Sequence, residues 1–500
     1  MTPDKPMNLR SLLLPFGIEA PAIELQDMVL DSREVAIHKL FVAVAGHKLD
    51  GRNFIPQAIS LGAKAILAET ADEAAHGQME MREQSLIVQF YRLSERLSAL
   101  AAEFFQHPAS GLQVAAVTGT NGKTSTVQLI AQMSELLGHR AGSIGTLGAG
   151  LLGNMQEVGN TTPDAISMHR LLREMSHQGG QVVALEASSH ALVQHRIASL
   201  KTDVALFTNL TRDHLDYHGD MNRYAAAKRL LLNQPGLKSV VLNQQDEESL
   251  NWLALAKERK ELIFYGLETP RFNTLPYLVA DRVEYLPEGT RIHLSSHLGE
   301  AELHSSLLGQ FNVLNLLGAM AVQLCLGHGF ERITRAAQLV KPVPGRLEVF
   351  HSEGLPTLVV DYAHTPDALE QALKALRDHA RGRVFVIFGC GGDRDKGKRP
   401  LMGRIAEQQA DVVVITNDNS RSEDPQQIAR DILTGLEKPE KAQVELDRRV
   451  AIKQAMGHAK PGDILLLAGK GHENYQIIGD NKINYDEREY ANELIKGTIR

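Results

Sequence analysis

Three features of the sequence predict an α/β protein of three domains. An apolar strand at residues 112–117 runs into a glycine-rich turn and then a helix that ends near residue 137. Beyond residue 341, apolar runs at 357–360, 384–388, 412–415 and 464–467 alternate with helical periodicity, the rhythm of a doubly wound parallel sheet. Two Pro/Gly-rich stretches, Pro108-Ala109-Ser110-Gly111 and Lys341-Pro342-Val343-Pro344-Gly345-Arg346, cut the 500 residues into domains of 1–110, 111–340 and 341–500. With 43% hydrophobic and 23% charged residues, each domain can bury a sizeable core. A net charge of −7 without any Lys/Arg run argues against nucleic-acid binding through a basic face. Cys325 and Cys390 are too few for a disulfide framework and suit a reducing, cytoplasmic compartment. The apolar run at 12–14 is cut by Pro15, so neither a signal-peptide core nor a membrane span is expected.

In the first domain, residues 27–30 lead into the turn Asp31-Ser32-Arg33. A strand at 40–44 is followed by the polar turn Gly46-His47-Lys48-Leu49-Asp50-Gly51-Arg52, a helix at 55–61, a strand at 65–68 and a helix at 93–105. Polar turns after strands are places for ligands, but taken alone they are more often ordinary surface loops.

The middle domain carries the turn Thr118-Gly119-Thr120-Asn121-Gly122-Lys123-Thr124. Gly119 and Gly122 let backbone wrap an anion, and the N–H groups that open the next helix point at it. Lys123 supplies a charge for the β/γ-phosphates of a nucleoside triphosphate, and Thr124 a hydroxyl for Mg²⁺. Val127, Ile130, Met133 and Leu137 form the buried stripe of that helix, which Gly138 ends. The pattern lacks the usual first glycine, where Val117 stands. A second near-match, Gly392 to Lys398, has the spacing but continues into Arg399, which cannot bind Mg²⁺.

Three polar clusters accompany the loop: Asn160-Thr161-Thr162-Pro163, Glu186-Ala187-Ser188-Ser189-His190 after a strand at 182–185, and Asn209 to His218 after a strand at 204–207. Open α/β sheets bind ligands at strand carboxyl ends. Each cluster taken singly also reads as a helix cap, with Asp213 or Asp216 at a helix start. Lys228 falls on the following helix, where a solvated lysine is the ordinary reading. Residues 272–308 alternate as antiparallel strands do, and Gly309-Gln310-Phe311-Asn312 opens an apolar helix to 326. In the last domain four strands end in polar loops: Asp361 to Asp367, Gly389 to Arg399, Thr416 to Pro425, and Ala468 to Glu473.

Together these residues resemble the Mur ligase family of ATP-dependent amide-forming enzymes, over nearly the whole chain, from Leu30-Asp31-Ser32-Arg33 to Gly469-Lys470-Gly471-His472-Glu473. The family's phosphate loop also lacks the first glycine. The resemblance implies a central P-loop ATP-binding domain, flanked by a UDP-binding α/β domain and a Rossmann-like amino-acid domain. It implies ligation of meso-2,6-diaminopimelate to UDP-N-acetylmuramoyl-L-alanyl-D-glutamate in peptidoglycan synthesis, by a monomer without nucleic-acid partners. Carried over by motif, Leu30, Ser32, His47, Lys48 and Leu49 hold the UDP part. Asn160, Thr161, Thr162, Ser188, Gln194 and Arg196 hold the sugar-peptide end. Gly119, Thr120, Asn121, Gly122, Lys123, Thr124 and Ser125, with Asn312, Arg346, Asp361 and His364, surround ATP. Arg394, Asp418, Asn419, Ser420, Arg421, Gly469 and Glu473 receive the amino acid. The family's Asp-Asn-Pro-Arg loop is here Asp418-Asn419-Ser420-Arg421, so the φ restraint of proline is lost.

The implied chemistry makes an acyl phosphate from a carboxylate and ATP, and an amine then attacks it. Lys123, Mg²⁺ and Arg346 offset the repulsion between the two anions. Lys123, Glu186, His214 and Lys228 are the implied catalytic residues. Thr124 and Glu186 are oxygen ligands suited to Mg²⁺, His214 would suit Mn²⁺ better, and Lys228 would join them as a carbamate. His364 and the departing phosphate are both candidates for the base. Alternatives are addition of L-lysine, which would dispense with an arginine at 421, a folylpolyglutamate-type ligase, and a nucleotide-dependent switch.

Overall fold

The computed structural model describes residues 6–46, 49–257, 261–272, 274–286 and 288–497, so His47 and Lys48 lie outside the described residues. The chain folds into two compact units: Met1–Tyr265 with Thr274–Pro276 and Gly318–Gly329, and Gly266–Asn273 with Tyr277–Leu317 and Phe330–Arg500. The elements are α/β throughout, as expected. No helix among the described residues is long and apolar enough to cross a membrane.

The first unit carries two larger sheets beside the short pair Met7–Asn8 with Glu24–Leu25. The amino-terminal one orders its strands Asp27–Val29, Lys39–Ala43, Ala65–Thr70, Ser85–Tyr91 and Met79–Arg82, parallel except for the last pair. Alternate residues of the strand Lys39–Ala43 feed two cores. Leu40 and Val42 pack with Leu97, Leu100 and Phe104 of the helix Leu93–Phe104, and Phe41 with Ile55 and Ala58. A strand buried on both faces reads as a continuous apolar run, which is why the sequence marked it. The second sheet sets Gln113–Thr118 between Val182–Glu186 and Val204–Phe207, all parallel. In register Glu186 pairs with Val117 and Phe207 with Thr118, so the three carboxyl ends form one rim. The short strands Ala141–Gly145, Gly148–Leu151 and Asn154–Gln156 extend this sheet and were not expected. The first supposed linker is a packed 3-10 turn, Pro108–Gly111, with Pro108 and Ala109 buried.

In the second unit, the strands Tyr277–Leu286, Gly289–Ser296 and Gly299–Ser305 are antiparallel, as the alternation predicts. The last sheet runs Glu348–Phe350, Thr357–Asp361, Ile464–Ala468, Val384–Phe388, Val412–Ile415, Gln443–Val444, parallel after the first pair. Its two faces hold separate cores. Val359, Val386 and Leu466 meet Leu369, Leu373, Met402 and Ile428, while Leu358, Phe385 and Leu465 meet Ile452, Tyr490 and Leu494. Helices on both faces make the domain doubly wound, so its ligand loops sit at the strand carboxyl ends. A hairpin absent from the sequence reading, Tyr475–Ile478 with Asn481–Asn484, lies against one of those loops.

Candidate active site

In the first unit, the rim carries the glycine-rich turn Thr118 to Thr124. Gly119 has φ +151°, and a Cβ there would collide with Thr208 Oγ1, so only glycine fits. Gly122, φ +86°, opens the helix Lys123–Leu136. Asn209 Oδ1 accepts from Asn121 N (2.9 Å), and Thr120 Oγ1 donates to Thr211 O (3.1 Å). The third polar cluster therefore braces the loop.

Two lysines converge on one carbonyl. Lys123 Nζ donates to Gly119 O (2.9 Å) and Thr120 O (2.8 Å). Lys228 Nζ donates to the same Gly119 O (2.6 Å) and sits 4.4 Å from the Tyr224 ring centroid. Lys228 is 2% exposed. This corrects the ordinary reading of a solvated helix lysine. Burial pushes its ammonium down to about 6, and the charge of Lys123 pushes the same way. Burial also lowers Lys123, against the pull of Glu186 and Asp213.

Glu186 is buried, and burial raises its carboxyl above the ordinary value against the hydrogen bonds and charge that face it. Its Oε1 accepts from Thr146 N (2.8 Å), and Thr124 hydrogen-bonds its carboxylate. A Cβ at Gly145 would collide with Glu186 Oε1, so Gly145 makes the space in which the carboxylate lies. Thr124 and Glu186 thus pair a hydroxyl and a carboxylate at the loop, hard oxygen donors that fit Mg²⁺. His214 packs edge-on at 4.9 Å against His190, with its Nε2 3.4 Å from Asp213 Oδ2. No group of three His, Cys, Asp or Glu side chains able to hold a metal occurs among the described residues.

Most of the sugar-peptide set forms one network with Glu186. Thr162 Oγ1 donates to Glu186 O (2.7 Å), Arg196 donates to Thr162 O (2.6 Å) and to Gln194 Oε1, and Ser188 N donates to Thr162 Oγ1 (3.1 Å). Thr161 reaches Thr146 Oγ1 (3.2 Å), and Asn160 is exposed. Ser32 donates to Gln57 Oε1 (2.8 Å), Leu30 is half-buried and Leu49 is exposed.

In the second unit, Asp361 gives both oxygens to backbone, Leu347 N (2.7 Å) and Ala363 N (2.8 Å), and so fixes the turn that carries Arg346. Arg346 stacks 5.2 Å from the Tyr362 ring, its Nε buried without a hydrogen-bond partner. His364 is exposed and its Nδ1–H donates to Tyr362 O (2.8 Å), which leaves Nε2 as an acceptor. Asn312 is buried in a pair with Asn315 (3.1 Å).

The amino-acid set is drawn together by a residue that sequence reasoning passed over. Lys470 Nζ donates to Asp418 Oδ1 (3.2 Å), Asn419 Oδ1 (2.9 Å) and Glu473 Oε2 (2.9 Å). Arg421 Nη1 donates to Gly392 O (2.8 Å), and a Cβ on Gly391 would stand 3.1 Å from that nitrogen and 3.6 Å from Arg394 Cγ, so both arginines flank Gly391. The rival near-match at Gly392 is fastened by Arg399, which is wholly buried and paired with Glu423 (2.9 Å) and Asp431 (2.8 Å). The flanking glycines of Gly469-Lys470-Gly471 were the available signal for Lys470, with φ of +117° and +51°.

The chain matches the "Mur ligase family, catalytic domain" over residues 24–105, the "Mur ligase middle domain" over 117–323 and the "Mur ligase, glutamate ligase domain" over 345–471. Among solved structures it is similar to a UDP-N-acetylmuramoyl-L-alanyl-D-glutamate–2,6-diaminopimelate ligase, with 33% identity, TM-score 0.75, and 98% of this chain and 99% of that one covered. A UDP-N-acetylmuramoylalanyl-D-glutamyl-2,6-diaminopimelate–D-alanyl-D-alanyl ligase from Acinetobacter baumannii shares the fold at 18% identity, TM-score 0.64, covering 94% and 96%. So does a Mycobacterium tuberculosis folylpolyglutamate synthase complexed with ADP and AMPPCP, at 17% identity and TM-score 0.59, covering 75% of this chain and 92% of that one.

Proposed function

The chain belongs to the Mur ligase family, and we propose that it joins meso-2,6-diaminopimelate to UDP-N-acetylmuramoyl-L-alanyl-D-glutamate at the expense of ATP. The observation that supports the choice of amino acid is that Arg394 and Arg421 both come close to Gly391, near Asn419 of the cluster it forms with Asp418 and Glu473. Diaminopimelate differs from lysine by one carboxylate at the far end of its side chain. A guanidinium takes such a group with two parallel hydrogen bonds, and its ammonium neighbour needs an acidic partner.

The γ-phosphoryl group passes from ATP to the dipeptide carboxylate, and ADP leaves. The amine of diaminopimelate then attacks the acyl carbon, the phosphate departs with the bonding pair, and the nitrogen loses a proton. Lys123, which donates here to Gly119 O and Thr120 O, would give its charge to the phosphate oxygens. Thr124 and Glu186 would hold Mg²⁺, which supplies charge that offsets the meeting of two anions. Arg346 adds a cation anchored on Tyr362. His364 Nε2 is one acceptor for the amine proton, and the departing phosphate another. We also assign Lys228 to carbamylation: its amine bonds carbon dioxide and releases a proton, placing an anionic oxygen pair beside the phosphate loop. The domain limits near residues 110 and 340, action as a monomer and a cytoplasmic location belong to the same reading.

Incubation with ATP and the nucleotide dipeptide, with diaminopimelate or lysine, tests it by ADP release. ADP formed only when diaminopimelate is present supports the reading. Equal rates with lysine remove the choice of amino acid, and no release with either removes the ligase assignment.

A further inference from the structure

Lys470 lies two residues past the strand Ile464–Ala468 and is 0% exposed. An ammonium has three N–H donors. Here they meet Asp418 Oδ1, Asn419 Oδ1 and Glu473 Oε2, at 3.2, 2.9 and 2.9 Å, so the cation is saturated and has nothing left for a ligand. The carboxylates are only half used. Glu473 Oε2 also accepts from Asn419 Nδ2 (3.1 Å), but neither Asp418 Oδ2 nor Glu473 Oε1 has a hydrogen bond among the described residues. A side chain on Gly469 would begin 3.5 Å from Asp418 Oδ2, and glycine leaves that oxygen uncovered.

We propose that Lys470 is a positioning residue for amino-acid specificity: it ties down one oxygen of Asp418 and one of Glu473 and thereby turns the other two toward an ammonium group of the incoming amino acid. This rests on the reading that the loops around Asp418 and Glu473 receive that amino acid. Without the cation, two carboxylates that now share one partner face each other across a buried space and repel. Asn419 alone cannot hold them, since its Nδ2 reaches only Glu473 and its Oδ1 also accepts from Ile477 N (2.8 Å). With the cation, two carboxylates and one ammonium leave a single net negative charge, matched to one incoming ammonium. The same loop puts the Arg421 guanidinium beside Gly392, so one amino-acid end can meet acid and base in a fixed order.

The experiment uses the full-length chain, with Michaelis constants from ADP release and melting temperatures. Lys470→Met keeps the length of the side chain and removes its charge, and Lys470→Gln keeps a hydrogen-bond donor. The KM for diaminopimelate should rise at least about tenfold in Lys470→Met and less in Lys470→Gln, while KM for ATP and for the nucleotide dipeptide stay within about twofold. Adding Glu473→Gln to Lys470→Met removes the repulsion, so the double variant should lose less than the product of the two single losses. Unchanged KM for the amino acid, equal rises in all three constants, or loss of the folded state in both variants overturns the proposal and leaves Lys470 a strut of the fold. Wild-type protein inactive with every amino acid offered would instead overturn the parent reading.

Discussion

Lys228 in the first unit and Lys470 in the second are both removed from water, at 2% and 0% exposure, yet their surroundings are opposite. Lys470 is met by two carboxylates and an amide oxygen. Lys228 is met by one carbonyl, one ring face and the charge of another lysine. Burying an ammonium costs several kcal/mol unless anions compensate it. The second unit compensates its lysine and gains an ordered loop cluster. The first leaves the cost standing and gains an amine that is largely neutral at pH 7. A buried lysine is therefore a strut or a reactive group according to its partners, and burial alone does not say which.

Lys123 extends the contrast and carries the largest expected effect. It is half-buried, its two bonds go to backbone of its own loop, and no core residue depends on it. Lys123→Ala should cut ADP formation by about 10²–10³-fold or more, in line with removing a preorganised donor from a developing charge. The melting temperature should stay near that of the wild type. Near-normal turnover in a folded variant would move the nucleotide away from this loop and dissolve the contrast between the units.

Lys228→Met tests whether the uncompensated lysine is there for chemistry. Turnover should fall at least about tenfold, and a carbonyl resonance from ¹³C-labelled carbon dioxide, present in the wild type, should vanish. Stability should move the other way. The amine is lowered to about 6 in the fold, against about 10.5 in the unfolded chain. Between those values the unfolded state binds more protons, so wild-type stability rises with pH across that window. Methionine, which has no such dependence, should stabilise by roughly 1–3 kcal/mol near neutrality. In carbon-dioxide-free buffer, where the wild-type side chain is the free amine, its advantage should be greatest near pH 6 and shrink toward pH 10, as chemical unfolding at several pH values will show. A variant as active as the wild type would make Lys228 no more than a poorly compensated strut.

Arg421→Ala sharpens the same contrast in the second unit. Its backbone is fixed by the hairpin, with Arg421 N donating to Ile477 O (3.2 Å) and Gly479 N donating to Arg421 O (2.8 Å), so the side chain can be removed without freeing the loop. A hydrogen bond to a charged group is worth about 1.5–3 kcal/mol, so kcat/KM for diaminopimelate should fall about tenfold to a hundredfold. Activity with lysine should fall much less. Equal losses for both would assign Arg421 to the backbone end of the amino acid, common to the two.

The two units also differ in how much of them could be read from the sequence. The strand, turn and helix around Lys123 follow from apolar periodicity and two glycines, and the doubly wound rhythm after residue 341 from strands buried on both faces. The strands Ala141–Gly145 and Gly148–Leu151 escaped because they are glycine-rich, Asn154–Gln156 because it is only three residues long, and the hairpin strand Asn481–Asn484 because all four of its residues are exposed. Lys228 looked solvated because its helix, Met221–Arg229, is polar overall. The one clue was Tyr224 four residues earlier, on the same face and buried. Lys470 was hidden for a different reason. Glu473 is three residues on, but Asp418 and Asn419 lie some fifty positions away, and no local pattern encodes those long-range contacts.

Ser420 gives the smallest effect and bears on what stiffens the loop proposed to receive the amino acid. The sequence suggests a loop loosened by the missing proline, with a lower KM once proline is restored. The structure supplies other restraints. Besides the two backbone bonds at Arg421, Ile477 N donates to Asn419 Oδ1 (2.8 Å), Gln476 Nε2 donates to Asp418 O (2.9 Å), and Glu423 N donates to Ser420 O (3.1 Å). Ser420 itself is 1% exposed, and its Oγ is buried without a hydrogen-bond partner. The hydroxyl therefore costs free energy where proline would add none, and the unfolded chain would lose entropy as well. Ser420→Pro should raise stability by about 1 kcal/mol and leave KM for diaminopimelate within about twofold. Ser420→Ala, which removes only the hydroxyl, should recover part of that gain. A KM lowered severalfold by proline but not by alanine would show that the hairpin does not hold this loop, and the ordered cluster attributed to the second unit would then lack its scaffold.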